Sequence, residues 1–149
     1  MIKKATYFLL LCLLPFASFA RDEKVISTPR EGVTWTVYAS LKSPSAEFYY
    51  SDDYIKKVGD VYEVEVLKNY QQLQYVGEGY GKEYSYMSSI EVQHINCKAD
   101  LYQSKLVKAF RKSGAKEPAF YSEQTKDDWH SSEGNGGQRY LHRIICTKS

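Results

Sequence analysis

The sequence predicts an α+β fold: a mostly antiparallel sheet with one or two helices. Three observations carry that expectation. Several separate runs alternate apolar and polar residues with period two, as in Val33, Trp35, Val37, Ala39 and Leu41 against Thr34, Thr36, Tyr38 and Ser40. Short stretches rich in Gly, Pro, Ser and Asp separate those runs and supply turns. Helical spacing of apolar residues occurs only late, in "KADLYQSKLVKAFRKSG" and "QRYLHRIIC".

Taken in order, "VTWTVYASL" is a strand with one clearly apolar face, and "KSPSA" is a turn. "EFYYSDDYIKKVGD" is a second extended piece, which Asp52-Asp53 is expected to break and Gly59-Asp60 to turn. "VYEVEVLKNY" places Tyr62, Val64 and Val66 on one face and Glu63 and Glu65 on the other. "YVGEGYGKEY" is a glycine-rich hairpin connection, and "SYMSSIEVQHINC" resumes an extended pattern through Ile90 and Val92 to Cys97. In the next segment Tyr102, Leu106, Ala109 and Phe110 follow helical spacing, and Gly114 suits a helix stop, so propensity favours a helix. "AFYSE" is strand-like and "WHSSEGNGGQ" is a loop. The closing "QRYLHRIIC" makes a helix whose face carries Tyr140, Leu141, Ile144 and Ile145.

The first twenty residues have the form of a secretory signal. Lys3 and Lys4 form a positive start, an apolar run extends from Ala5 to about Phe16, and Ser18-Phe19-Ala20 sets small residues for a cut before Arg21. The run falls short of the ~20 residues a membrane span needs. The expected organisation is therefore a signal peptide over 1–20, a flexible charged leader over 21–32, and one domain over 33–149. No transmembrane segment remains once the signal is removed. Cys12 lies inside the apolar run without the small preceding residue that a lipidation site requires, so the chain is expected to be periplasmic, secreted or at the cell surface without a lipid anchor.

Cys97 and Cys146 then remain, and an even pair in an exported chain argues for one disulfide over two buried free thiols. Closing a loop of about 50 residues stabilises by roughly 4 kcal/mol in the chain-entropy account. A zinc site is not expected, because there is no C-x-x-C and the three histidines are scattered. Lys3 and Lys4 account for the whole excess of 20 basic over 18 acidic residues, so net charge gives no reason to expect nucleic acid as a partner.

Catalytic patterns are missing. No serine sits in G-x-S-x-G, and no cysteine is left as a nucleophile. Asp52-Asp53 and Asp127-Asp128 are adjacent pairs whose side chains would point to opposite faces of a strand, so turn chemistry explains them better than an acid/base dyad. A hydrolase would need His94, His130 or His142 within reach of a serine and a carboxylate. "GEGYG" lacks the Lys-Ser/Thr of a phosphate loop. The basic run Lys105, Lys108, Arg111, Lys112 and Lys116 is by default a solvated face. No cofactor is expected.

Tyrosine is the unusual component, at 14 residues. Tyr75, Tyr80, Tyr84 and Tyr86 flank the glycine-rich tip of "YVGEGYGKEYSY", a composition shared with recognition loops, where tyrosine supplies contact area at low entropy cost. The alternative is that Tyr84 and Tyr86 pack on the sheet.

"FYYSDDYI", the "INC" that ends a later strand and the closing "IIC" resemble, in order and spacing over roughly residues 35–146, the surface-adhesin protein E family of small exported bacterial proteins. The resemblance implies a curved antiparallel sheet of about six strands with a C-terminal helix laid against it, tied by a disulfide between Cys97 and Cys146. It implies a strand over 100–111, and because tertiary context overrides propensity, a strand is expected there. Cys146 falls off the Tyr140–Ile145 face of an ideal helix, so that helix is expected to fray just before it.

The resemblance further implies adhesion to host extracellular-matrix or serum proteins such as laminin and vitronectin, associated with a basic stretch ahead of the "NC" strand. Here that stretch is "GKEYSYMSS", where Lys82 is followed by Glu83 and no arginine. Lys82 therefore joins Tyr75, Tyr80, Tyr84 and Tyr86 as the expected contact set. The functional expectation is a non-enzymatic exported binding module with a protein partner. The alternative is a periplasmic protein holding a small ligand between sheet and helix. Oligomeric state is left open, a homodimer included.

Overall fold

The computed structural model describes residues 33–43, 45–76, 84–125 and 128–148. The expected signal peptide and leader, Tyr80 and Lys82 lie outside them. Seven strands form one open antiparallel sheet: β1 (Thr36–Lys42), β2 (Ser45–Val58), β3 (Val61–Tyr75), β4 (Ser85–Asn96), β5 (Leu101–Phe110), β6 (Tyr121–Gln124) and the short β7 (His130–Ser131). The first six are neighbours in chain order, and β7 pairs with β5 beyond the end of β6. One helix, α1 (Gly136–Thr147), follows.

Local chemistry sets the turns and bends. Gly59 has φ of 62° in the two-residue connection between Val58 and Val61, a conformation that costs glycine no side-chain clash. Asp52-Asp53 does not end β2. The strand runs on to Val58, and its register against β3 shifts between Tyr50 and Ile55, so the acidic step is absorbed as a bulge. β5 is a strand, against the helical spacing of its apolar residues. Gln93 pairs with Ser104 and Val92 with Leu106, leaving Lys105 as the extra residue of a bulge. That insertion resets the alternation, so Tyr102 and Ser104 share a face with Val107 and Ala109, and the period-two signal is hidden.

Registered pairs show which residues share a face. Val66 lies opposite Glu91 and Glu91 opposite Val107, while Leu67 lies opposite Ile90. On the face away from α1, Trp35, Tyr49, Leu67, Ile90, Phe110 and Ala115 form one core cluster. On the α1 face, Tyr38, Val64, Val66, Ile95, Leu141 and Ile145 form the second. The sheet thus buries apolar residues on both sides.

α1 begins at Asn135, whose side chain accepts from the backbone N–H of Gly137 and Gln138. Gly137 allows a close approach: a Cβ there would sit 3.3 Å from that of Ala39 on β1. The buried side of the helix comprises Gln138, Leu141, His142 and Ile145, a spacing of three, four and seven. This corrects the expected face, for Tyr140 is 38% exposed. It also corrects the expected fray. The stripe runs toward His142 and away from Tyr140, which carries Cys146, one turn after His142, to the sheet side, and the helix continues to Thr147. The Cys97–Cys146 disulfide, with Cα atoms 5.6 Å apart, joins that last turn to the end of β4. Gln138 Nε2 donates to Gln93 Oε1 at 2.9 Å, a second, buried link between helix and sheet.

Candidate functional site

α1 covers only part of its sheet face. The uncovered part follows β4, β5 and β6 from the β3–β4 hairpin toward β7. Cross-strand rows place Lys68, Ser89, Ala109 and Tyr121 side by side, and Val66, Glu91, Val107 and Glu123 in the next row. Two clefts open there. A slot of about 190 Å³ is walled by Tyr75, Tyr86 and Tyr121, with Val107 and Ala109 behind them. A wider cleft of about 440 Å³ includes Glu91, Tyr102, Ser104, Asp128 and His130. Glu123 lines both.

Of the five expected contact residues, the structure brings Tyr75 and Tyr86 together in the slot. Tyr75 is 50% exposed at the end of β3, and Tyr86 packs edge-on against Tyr70 with ring centres 5.7 Å apart. Tyr84 does not line the slot; its carbonyl accepts from the Val76 N–H and closes the hairpin stem. The two readings of these tyrosines therefore merge at Tyr86, which packs on the sheet and also walls a cleft.

Sequence reasoning missed Tyr102, Tyr121, Glu123, Asp128 and His130. It missed as well the pair beside them, Lys68 and Glu91. Lys68 Nζ forms an ion pair with Glu91, whose side chain is 8% exposed, and lies 5.7 Å from the centre of the Phe48 ring. Burial works against the Lys68 ammonium, yet the charge and hydrogen bond of Glu91 outweigh it and hold the lysine pKa above its ordinary value. Continuing the alternation of Val64 and Val66 by one step would have placed Lys68 on the buried face, which is the signal the sequence offered. Tyr102 and His130 meet with ring centres 5.7 Å apart at the far end of the wider cleft.

Two further titratable groups, Glu63 and His142, have local partners. Glu63 bonds Lys56 at 2.7 Å and His94 at 3.0 Å; the Lys56 hydrogen bond holds its carboxyl below the usual range, against a smaller opposing effect of burial. His142 Nε2 is 3.7 Å from Asp100, and Ser132 Oγ donates to the Asp100 carbonyl instead of to the imidazole. Cys97, His142 and Cys146 converge within 4.8 Å, but both sulfurs are committed to the disulfide and offer no thiolate to a metal.

A meander of six strands with the helix stapled back at its last turn is the architecture that the resemblance implied. A family model described as surface-adhesin protein E matches residues 35–147, from just before β1 to the end of α1. The chain belongs to the surface-adhesin protein E family. No curated protein and no solved structure matches it. The matched span takes in the sheet, the disulfide and both clefts. Among the described residues no helix is long and apolar enough to cross a membrane.

Proposed function

We propose that this protein is an exported, non-enzymatic adhesin-type module that captures an extracellular-matrix or serum protein on the sheet face α1 leaves open. The observation that carries the reading is the tyrosine-walled slot beside the β3–β4 hairpin, in a chain of an adhesin family. Tyr86 presents a large ring held against Tyr70 and Tyr75 a half-exposed ring beside it, the composition that supplies contact energy at low entropy cost. The alternative, a small ligand held between sheet and helix, is opposed by the packing there: Leu141 and Ile145 are both 0% exposed and fill the interface.

The test is solid-phase binding of the secreted wild type, and of intact cells carrying it, to immobilised laminin and vitronectin, with a wider matrix and serum panel alongside. Saturable binding that weakens at least tenfold in the Tyr75→Ser/Tyr86→Ser variant is expected. No saturable binding from either preparation overturns the reading.

A further inference from the structure

The two clefts have complementary chemistries and meet at one residue. The slot is aromatic and apolar, sized for a single large side chain among Tyr75, Tyr86 and Tyr121. The wider cleft is lined by three carboxylates, from Glu91, Glu123 and Asp128, and among the described residues neither cleft is lined by a lysine or arginine. Lys68 neutralises Glu91 from within the sheet. Glu123 accepts from the Tyr121 hydroxyl at 2.6 Å, a neutral donor that leaves its charge in place. Among the described residues no lysine or arginine pairs with Glu123 or Asp128, both exposed, next to the apolar slot.

We propose that this face is a docking groove for an extended peptide segment that seats an apolar or aromatic side chain in the slot and a lysine or arginine against Glu123 and Asp128. The inference rests on the protein-capturing role argued above and names the chemistry of the captured segment. From Ala109 to Tyr102 the groove follows eight residues of β5, one of them the bulged Lys105, a reach of roughly 20 Å at about 3.3 Å per residue. An extended segment of about six residues spans that length, with its anchor and its cation about three residues apart. Desolvated against tyrosine rings and carboxylates, an arginine gains both cation–π and charge-assisted contacts. A neutral polyhydroxyl ligand such as a glycan would leave the two carboxylates without a counter-charge, which is why the peptide is preferred.

The experiment uses fluorescein-labelled peptides carrying one tryptophan and one arginine separated by one to five serines, titrated into the chain from Arg21 onward by fluorescence anisotropy. Saturable binding is expected to peak at an intermediate spacer and to fall at least tenfold when arginine is replaced by citrulline. It should fall by a similar factor in Glu123→Gln/Asp128→Asn, with circular dichroism unchanged, and Glu123→Lys should shift preference to a glutamate-bearing peptide. Equal affinity for the citrulline peptide, or an unaltered double variant, overturns the proposal, as does binding of neutral glycans in place of the peptides. If the peptides fail while matrix or serum capture persists and depends on Tyr75 and Tyr86, the basic-segment assignment alone falls. If the peptides bind and no protein is captured, the adhesin reading alone falls.

Discussion

Lys68 and Glu91 are diagonal neighbours on β3 and β4, joined in an ion pair in which the Glu91 side chain is 8% exposed and the Lys68 side chain 25% exposed. A pair this deep is costly to break from one side, because the survivor keeps its desolvation penalty without its partner. Its two residues share cross-strand rows with Ala109, Tyr121 and Val107 of the slot, so its loss would also disturb the surface that the adhesin reading uses.

Glu91→Gln is therefore expected to cost about 3 kcal/mol at pH 7, the low end for a buried pair because the Lys68 side chain is not fully buried. The folded-state pKa of Lys68 is raised. Its contribution is then fully present below the unfolded lysine value of about 10.4 and is lost as pH rises through the raised folded value. Urea unfolding of wild type and variant should show a constant difference from pH 7 to 10 that closes above it. A difference under 1 kcal/mol at pH 7, or one that grows as pH rises above the unfolded lysine value of about 10.4, would refute this account.

Gln93 and Gln138 offer a second asymmetric test. Each is buried, and Gln138 Nε2 donates to Gln93 Oε1 across the sheet–helix interface. Gln138→Ala leaves a buried acceptor unmade and should cost about 1–3 kcal/mol. Replacing both by leucine removes donor and acceptor together and should cost less than the sum of the single changes. Strict additivity in the double-mutant cycle would show that the bond contributes nothing.

The sheet was legible where alternation is uninterrupted, in the first half of β3, and the turn at Gly59 announced itself by residue type. β1 was legible as a strand but not as one apolar face: its register shifts between Val37 and Ala39, so Trp35 and Val37 pack away from α1 while Tyr38 and Ala39 pack on the α1 side. It was hidden where a bulge inserts a residue. Lys105 shifts the phase of β5, and the displaced apolar positions then mimic a helix. The face proposed for binding was half legible. Tyr75 and Tyr86 stand out because they flank a glycine-rich tip, close in sequence. Tyr102, Tyr121, Glu123 and Asp128 join them only through the pairing of β5 with β4 and β6, which no local pattern encodes. Helix orientation was misjudged for a similar reason: the polar Gln138 and His142 occupy the buried face, and hydrophobicity alone pointed to Tyr140.

Tyr75 separates contact from folding. Half of it is exposed, so Tyr75→Ser should change stability by no more than about 0.5 kcal/mol, as expected for a surface position. Its loss from a recognition surface should weaken partner binding about tenfold or more. Thermal unfolding and solid-phase binding of the same preparation decide the matter. A variant that binds as tightly as wild type removes Tyr75 from the contact set.

The disulfide fixes the end of α1 while the rest of the helix has its own attachments, so its loss should act locally as well as globally. The bond spans 49 residues, and opening it restores roughly 4 kcal/mol of chain freedom to the unfolded state in the entropic account. In the folded state Leu141, Ile145 and the Gln138 bond still hold the helix to the sheet. Cys97→Ser should thus lower stability by a few kcal/mol and raise hydrogen exchange most over residues 143–148, less over 138–142, and little in β3 and β4. The slot lies away from this end of the sheet, so peptide binding per folded molecule should stay within about twofold of wild type. A variant as stable and as well protected as the oxidised wild type would mean that the staple contributes nothing to the fold; uniform loss of protection across the sheet would mean that it holds far more than the helix end.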